Sequence, residues 1–159
     1  MSDPARELLR HTLATVAYRG AKVIRGAPDD FGTFKPGEGT RTPGEILAHI
    51  CDLLDWASSL ARGAETWKDS TPGGWRANAI RFHDGLARLD GLLAAPGPIA
   101  CAPERLFQGP IADALTHIGQ LALLRRRAGA PVKGENYFKA DIVAGRVGPE
   151  QTEPKREFD

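Results

Sequence analysis

Residues 42–63 read TPGEILAHICDLLDWASSLARG, and this stretch decides the fold. Thr42 can accept a hydrogen bond from a free N–H of a first helical turn, and Pro43 needs no partner at the first helical position. Glu45 stands three residues beyond Thr42, where it closes a capping box. Behind this start, Ile46, Ile50, Leu53, Leu54, Trp56 and Leu60 recur at helical spacing as far as Gly63. The result is an amphipathic helix of roughly 30 Å.

The same pattern extends outward in both directions. Asp3-Pro4 caps an earlier helix with the stripe Leu9, Leu13, Val16, Gly20 and Val23, which ends near Gly26-Ala27-Pro28. Between the two helices, Asp29 to Arg41 is a Gly- and Pro-rich loop, long enough to fold over one mouth of a bundle. Downstream, Thr71-Pro72-Gly73-Gly74 interrupts the chain. Trp75, Ala79, Phe82, Leu86, Leu89 and Leu93 then step by three and four, the spacing of packed helical bundles. Pro96-Gly97-Pro98 stops that third helix. Gly109-Pro110 opens a fourth, with one stripe of Ile111, Leu115, Ile118 and Ala122 and a neighbouring one of Ala114, His117, Leu121 and Leu124. Arg125, Arg126 and Arg127 complement its C-terminal dipole before Gly129 and are expected to be a solvated helix end. After Pro131 the pattern weakens: Tyr137 to Ala144 is expected to be a short helix, and Pro149 to Asp159 to fray. No strand pattern and no internal repeat are present. The expectation is one all-α domain over 1–159, an up-down four-helix bundle with its core at about 4–131 and a C-terminal extension at 132–159.

Composition narrows the function. Of 159 residues, 42% are apolar and 26% charged, and the formal net charge is +1, so the chain has neither the character of a disordered segment nor the basic excess of a nucleic-acid binder. Two cysteines, Cys51 and Cys101, make no disulfide framework or zinc ribbon, which fits a reducing, cytoplasmic setting. Asp3, Arg6, Glu7, Arg10 and Arg19 break up the first twenty residues, so neither a signal peptide nor a membrane span is expected there.

Two of the four histidines fall on inward helix faces: His49 beside Ile46, Leu53 and Trp56, and His117 beside Ala114, Leu121 and Leu124. An imidazole so placed must be hydrogen-bonded, charged at a cost, or bound to a metal. Asp113 precedes His117 by one turn, so the two side chains project from one helix face. Two imidazoles and a carboxylate suffice to hold Zn, Ni, Mn or Fe(II) with positions left open. The competing reading makes Asp113 an acid that complements the start of helix four. Around the three, Asp52 is a candidate to orient the His49 ring and Trp56 to wall a pocket, while Gln120 is a candidate to bond a ligand or water. Cys51 lies about 200° around the helix from His49 and cannot share its metal. His11 and His83 fall among polar neighbours and are expected on the surface.

Asp113-Ala114-Leu115-Thr116-His117-Ile118-Gly119-Gln120 resembles the helix-four signature of the DinB-like (YfiT-like) superfamily, in which two ligand histidines four apart are followed by Gly and Gln. The run from Leu124-Arg125 to Gly129, and Thr42 to His49 on helix two, resemble further elements of that pattern. The resemblance spans roughly residues 4–131. One position departs: Asp113 stands where the usual first histidine of helix four stands, which shifts metal preference toward harder ions. The resemblance implies a small helical bundle, often a homodimer, binding one divalent metal through His49, Asp113 and His117. It also implies a metal-dependent transferase of small thiols or a hydrolase, with no nucleic-acid partner. The alternative is a non-catalytic, dimeric helical module whose metal site is degenerate. No second carboxylate or Ser-His pair is spaced to serve as a general base.

Overall fold

The computed structural model describes residues 3–159; Met1 and Ser2, at the head of the stretch considered above for a signal peptide, lie outside the described residues. Helix α1 (Pro4–Ile24) begins where the Asp3 carboxylate accepts from the Ala5 N–H at 2.9 Å. Helix α2 (Pro43–Ala61) begins with the capping box in place: Glu45 N–H donates to Thr42 Oγ1 at 3.2 Å, and Thr42 N–H donates to Glu45 Oε2 at 2.7 Å. Helix α3 spans Trp75–Ala94.

The fourth rod starts earlier than Gly109-Pro110. It comprises α4 (Pro103–Leu106), a π-helical turn over Phe107–Ile111, and α5 (Ala112–Arg127), with Pro103 in the position that a proline favours. Pro110 sits inside the rod because the wide turn tolerates a residue without an N–H, and Ala112 N–H reaches back to the carbonyls of Phe107 and Gly109.

These rods form the expected all-α four-helix bundle. Helix α1 packs on α3 and α5, and α2 packs on the same two, so α1 and α2 stand diagonally across the core. Their senses depart from simple up-down alternation. Arg10 pairs with Asp90 and Gly20 abuts Phe82, so α1 and α3 are antiparallel. Cys51 meets Asn78, Leu54 meets Gly85 and Asp55 meets Arg88, so α2 and α3 run parallel. Residues 62–74 make this possible, since about 13 extended residues reach ~40 Å, more than the ~28 Å length of α2. A Cβ at Gly20 would lie 2.4 Å from Phe82 Cζ, so the bare backbone there is what lets α1 approach α3. Leu13, Ile50, Leu54, Phe82, Leu86, Leu89, Ile111 and Leu121 are fully enclosed between the four rods.

The C-terminal extension differs from expectation. In place of a helix over 137–144 there is a single 3-10 turn at Tyr137–Lys139, capped by the Asn136 side chain on Phe138 N–H. The last residues do not fray: Gly134–Glu135 pairs antiparallel with Glu157–Phe158, a short ladder that the sequence pattern missed. Charge explains the anchoring, because buried Glu135 accepts from Tyr18 Oη at 2.6 Å and from Lys22 Nζ at 3.1 Å, and Lys22 also holds Glu157 at 3.1 Å. No described helix is long and apolar enough to cross a membrane.

His83 is half-buried rather than a solvated surface residue, with its Nδ1 3.1 Å from the Val147 carbonyl of the extension. Burial is the main influence and pushes its pKa below the usual histidine value, against weaker opposing effects of the Val147 bond and Asp84. The unfolded chain therefore binds this proton more readily than the folded one. The contribution of His83 to stability is intact above about pH 6.5 and declines as pH falls below it. Melting curves taken from about pH 8 to pH 5 should show His83→Gln losing less stability than the parent across that interval. Parallel curves for the two proteins would contradict the assignment.

Candidate metal centre

Helix α2 presents His49 and α5 presents Asp113 and His117 to one point between them. Their donor atoms all lie within 4.8 Å of one another, and all three side chains are partly buried. Asp113 Oδ1 is 3.4 Å from His117 Nε2, and Asp113 Oδ2 is 3.7 Å from His49 Nε2. The two imidazoles meet edge to face, with ring centres 4.8 Å apart.

These distances are informative because they are too long for N–H···O hydrogen bonds, yet too short for two bare lone pairs to face a carboxylate without cost. A tetrahedral ion with bonds of about 2.1 Å holds its ligand atoms about 3.4 Å apart. The cluster could hold a divalent ion after small side-chain movements. Burial, the nearby His117 and Arg41 together hold the His49 pKa below its ordinary value, against weaker opposition from Asp113 and Asp52. The neutral form, the one that ligates a metal, is thereby favoured.

Gln120 has a definite place. Its Oε1 lies 2.8 Å from His117 Nδ1, and a carbonyl oxygen can only accept, so Nδ1 carries the proton. The lone pair is left on Nε2, the atom that faces Asp113 and His49. His49 has no equivalent hydrogen-bond partner among the described residues.

Asp52 does not orient His49. Its carboxylate accepts from Arg81 Nη2 at 2.7 Å and from Ser70 N–H at 3.0 Å, because its position on α2 turns it toward α3 and the 62–74 segment. Trp56 does wall an opening, a polar cleft of about 790 Å³ that also takes in Asp52, Asp55, Arg81 and Arg88. Those four charges are already joined in ion pairs. Trp56 reaches the histidine cluster through another residue, Trp67, whose ring meets Trp56 edge to face at 5.8 Å and His49 at 5.8 Å. Sequence reasoning missed Trp67, which sits in the aperiodic segment between α2 and α3; an aromatic residue there was its sole signal.

The alternative role for Asp113, an acid complementing a free helix start, finds little support. The rod begins ten residues upstream of Asp113, at α4, and the Ala112 N–H is already engaged by Phe107 and Gly109. Cys51 is buried, its thiol pointing to the Asn78 carbonyl at 3.4 Å, and takes no part in the cluster. His11 is exposed, as expected.

A second opening, about 470 Å³, lies against the other side of His117, between α5 and the segment that precedes α2. Arg41, Ile46, Leu123, Leu124 and Arg127 are among its walls. No protein-family model, curated protein or solved structure matches the chain, so any assignment rests on these residues and their chemistry.

Proposed function

We propose that this chain is a divalent-metal-binding bundle of the DinB-like kind, and that His49, Asp113 and His117 are the protein ligands of a metal-dependent enzyme. The reaction classes that fit are transfer to or from a small thiol and hydrolysis. The observation that carries this reading is the triangle of donors from two helices, with the His117 lone pair directed into it by Gln120. An ion there would supply Lewis acidity, which brings the pKa of a water or thiol toward neutrality.

The chain's own residues would do the rest. Gln120 fixes the His117 tautomer, Trp67 covers one side of His49, and the apolar walls of the neighbouring opening offer a place for substrate. Asp113 in place of an imidazole favours harder ions within the set Zn, Ni, Mn and Fe. A homodimer in a cytoplasmic setting completes the proposal.

One observation favours a second reading, a non-catalytic module with a degenerate site. Asp113 stands within ion-pair distance of both imidazoles, so protonated histidines could satisfy the cluster without a metal. Elemental analysis separates the two. Protein purified without a histidine tag should carry close to one divalent ion per chain, and protein that stays metal-free when offered each of the four ions would establish the module.

A further inference from the structure

The opening beside His117 has a chemical character of its own. Ile46, Leu123 and Leu124 give it an apolar wall, Leu123 remaining exposed there, while Arg41 and Arg127 supply two cations. Neither guanidinium has a carboxylate partner: among the described residues Arg41 makes no side-chain hydrogen bond or ion pair, and Arg127 donates only to the Pro36 carbonyl, at 3.2 Å. In the cleft walled by Trp56, by contrast, Arg81 and Arg88 are paired with Asp52 and Asp55. Asp113 is taken up by the two histidines.

We propose that this opening binds a small amphipathic acid, its carboxylate or phosphate held by Arg41 and Arg127 and its apolar body lying on Ile46, Leu123 and Leu124. The proposal deepens the metal-site reading by naming the substrate class, since His117 is shared by the opening and the donor triangle. A volume of about 470 Å³ falls within the usual range of small-molecule sites. Guanidinium is suited to the task because its fork of N–H donors matches the paired oxygens of an acid, and two such groups on one opening select against neutral or cationic analogues.

Isothermal titration of chelator-treated and of zinc-loaded protein with octanoate, 1-octanol and octylamine tests the proposal. Octanoate should bind the metal-free protein at least tenfold more tightly than either analogue. Arg41→Gln and Arg127→Gln should each weaken octanoate at least tenfold and leave zinc stoichiometry unchanged. Arg127→Gln also loses the bond to Pro36, so Arg127→Lys, which keeps the charge, should recover part of the octanoate affinity, and Arg41→Gln gives the same reading at a residue without such a bond. Equal binding of octanoate and octanol, no binding of octanoate, or octanoate binding only in zinc-loaded protein and indifferent to both arginines would overturn it. Metal content and octanoate are measured separately: a parent that takes up none of Zn, Ni, Mn and Fe, yet whose octanoate binding still follows the arginines, would sink the metal site alone, and the reverse result would sink this proposal alone.

Discussion

Replacing His117 by alanine is expected to abolish metal binding, with the divalent-metal content of the purified protein falling from about one ion per chain to background. Three protein ligands are near the minimum for a site with open positions, so two cannot retain the ion. Gln120→Ala should do less, about 10- to 100-fold in affinity, because it removes the group that orients His117 and leaves the ligand itself in place. Asp113→Asn discriminates between the readings. A ligand position loses most of its affinity, whereas a helix-end acid would cost only about 0.3 to 1 kcal/mol of stability and leave metal content alone. His11→Ala and His83→Ala should leave metal content unaltered, since one is exposed and the other is committed to the Val147 carbonyl. Parent-like metal content in His117→Ala and Asp113→Asn would show that the triangle is not the site.

The parts of this protein legible in its sequence are those that periodicity and local hydrogen bonding control. The capping box at Thr42 is contained in four consecutive residues, and the stripes of α1, α2 and α3 follow from spacing alone. His49 and His117 were legible because an imidazole on an apolar face stands out. Features set by contacts between distant residues were not. Nothing near Asp52 in sequence announces Arg81, and a helix start at Pro103 is hidden because Gly109-Pro110 makes the stronger local punctuation. The parallel sense of α2 and α3 depends on the path of residues 62–74, which carry no periodic signal. Residues 149–159 carry no apolar periodicity, so nothing local announces that Lys22 holds Glu157 from more than a hundred residues away.

Arg125 shows the same limit and supports the largest stability prediction. Beside Arg126 and Arg127 it reads as one more cation on a solvated helix end, yet it is only 5% exposed. Its Nη1 donates to the carbonyls of Val23 at 2.8 Å and Arg25 at 3.1 Å, its Nη2 to Gly26 at 3.3 Å, and its Nε to Ala130 at 2.7 Å. One guanidinium thus satisfies the carbonyls at the end of α1 and joins them to the end of α5. Burial pulls its pKa below the usual arginine value, but no acid offsets that cost; the carbonyl dipoles must carry it. Arg125→Met keeps much of the side-chain volume and removes every donor, leaving the buried Val23 carbonyl and its part-buried neighbours without a partner. Unsatisfied groups of this kind cost about 1 to 3 kcal/mol each when buried, and partial access of water to the outer carbonyls brings the expected loss to about 2 to 4 kcal/mol in all. For a domain of this size that lowers the melting temperature by about 5 to 15 °C. Arg125→Lys should recover less than half of the loss, because one ammonium on a flexible stem cannot span carbonyls that a planar fork reaches together. Arg126→Met, on the exposed side of the same turn, is the control and should melt within a degree or two of the parent, roughly the scatter of surface substitutions. Should Arg125→Met melt with that control, the end of α1 is being satisfied by water, and Arg125 does not tie the two helices together.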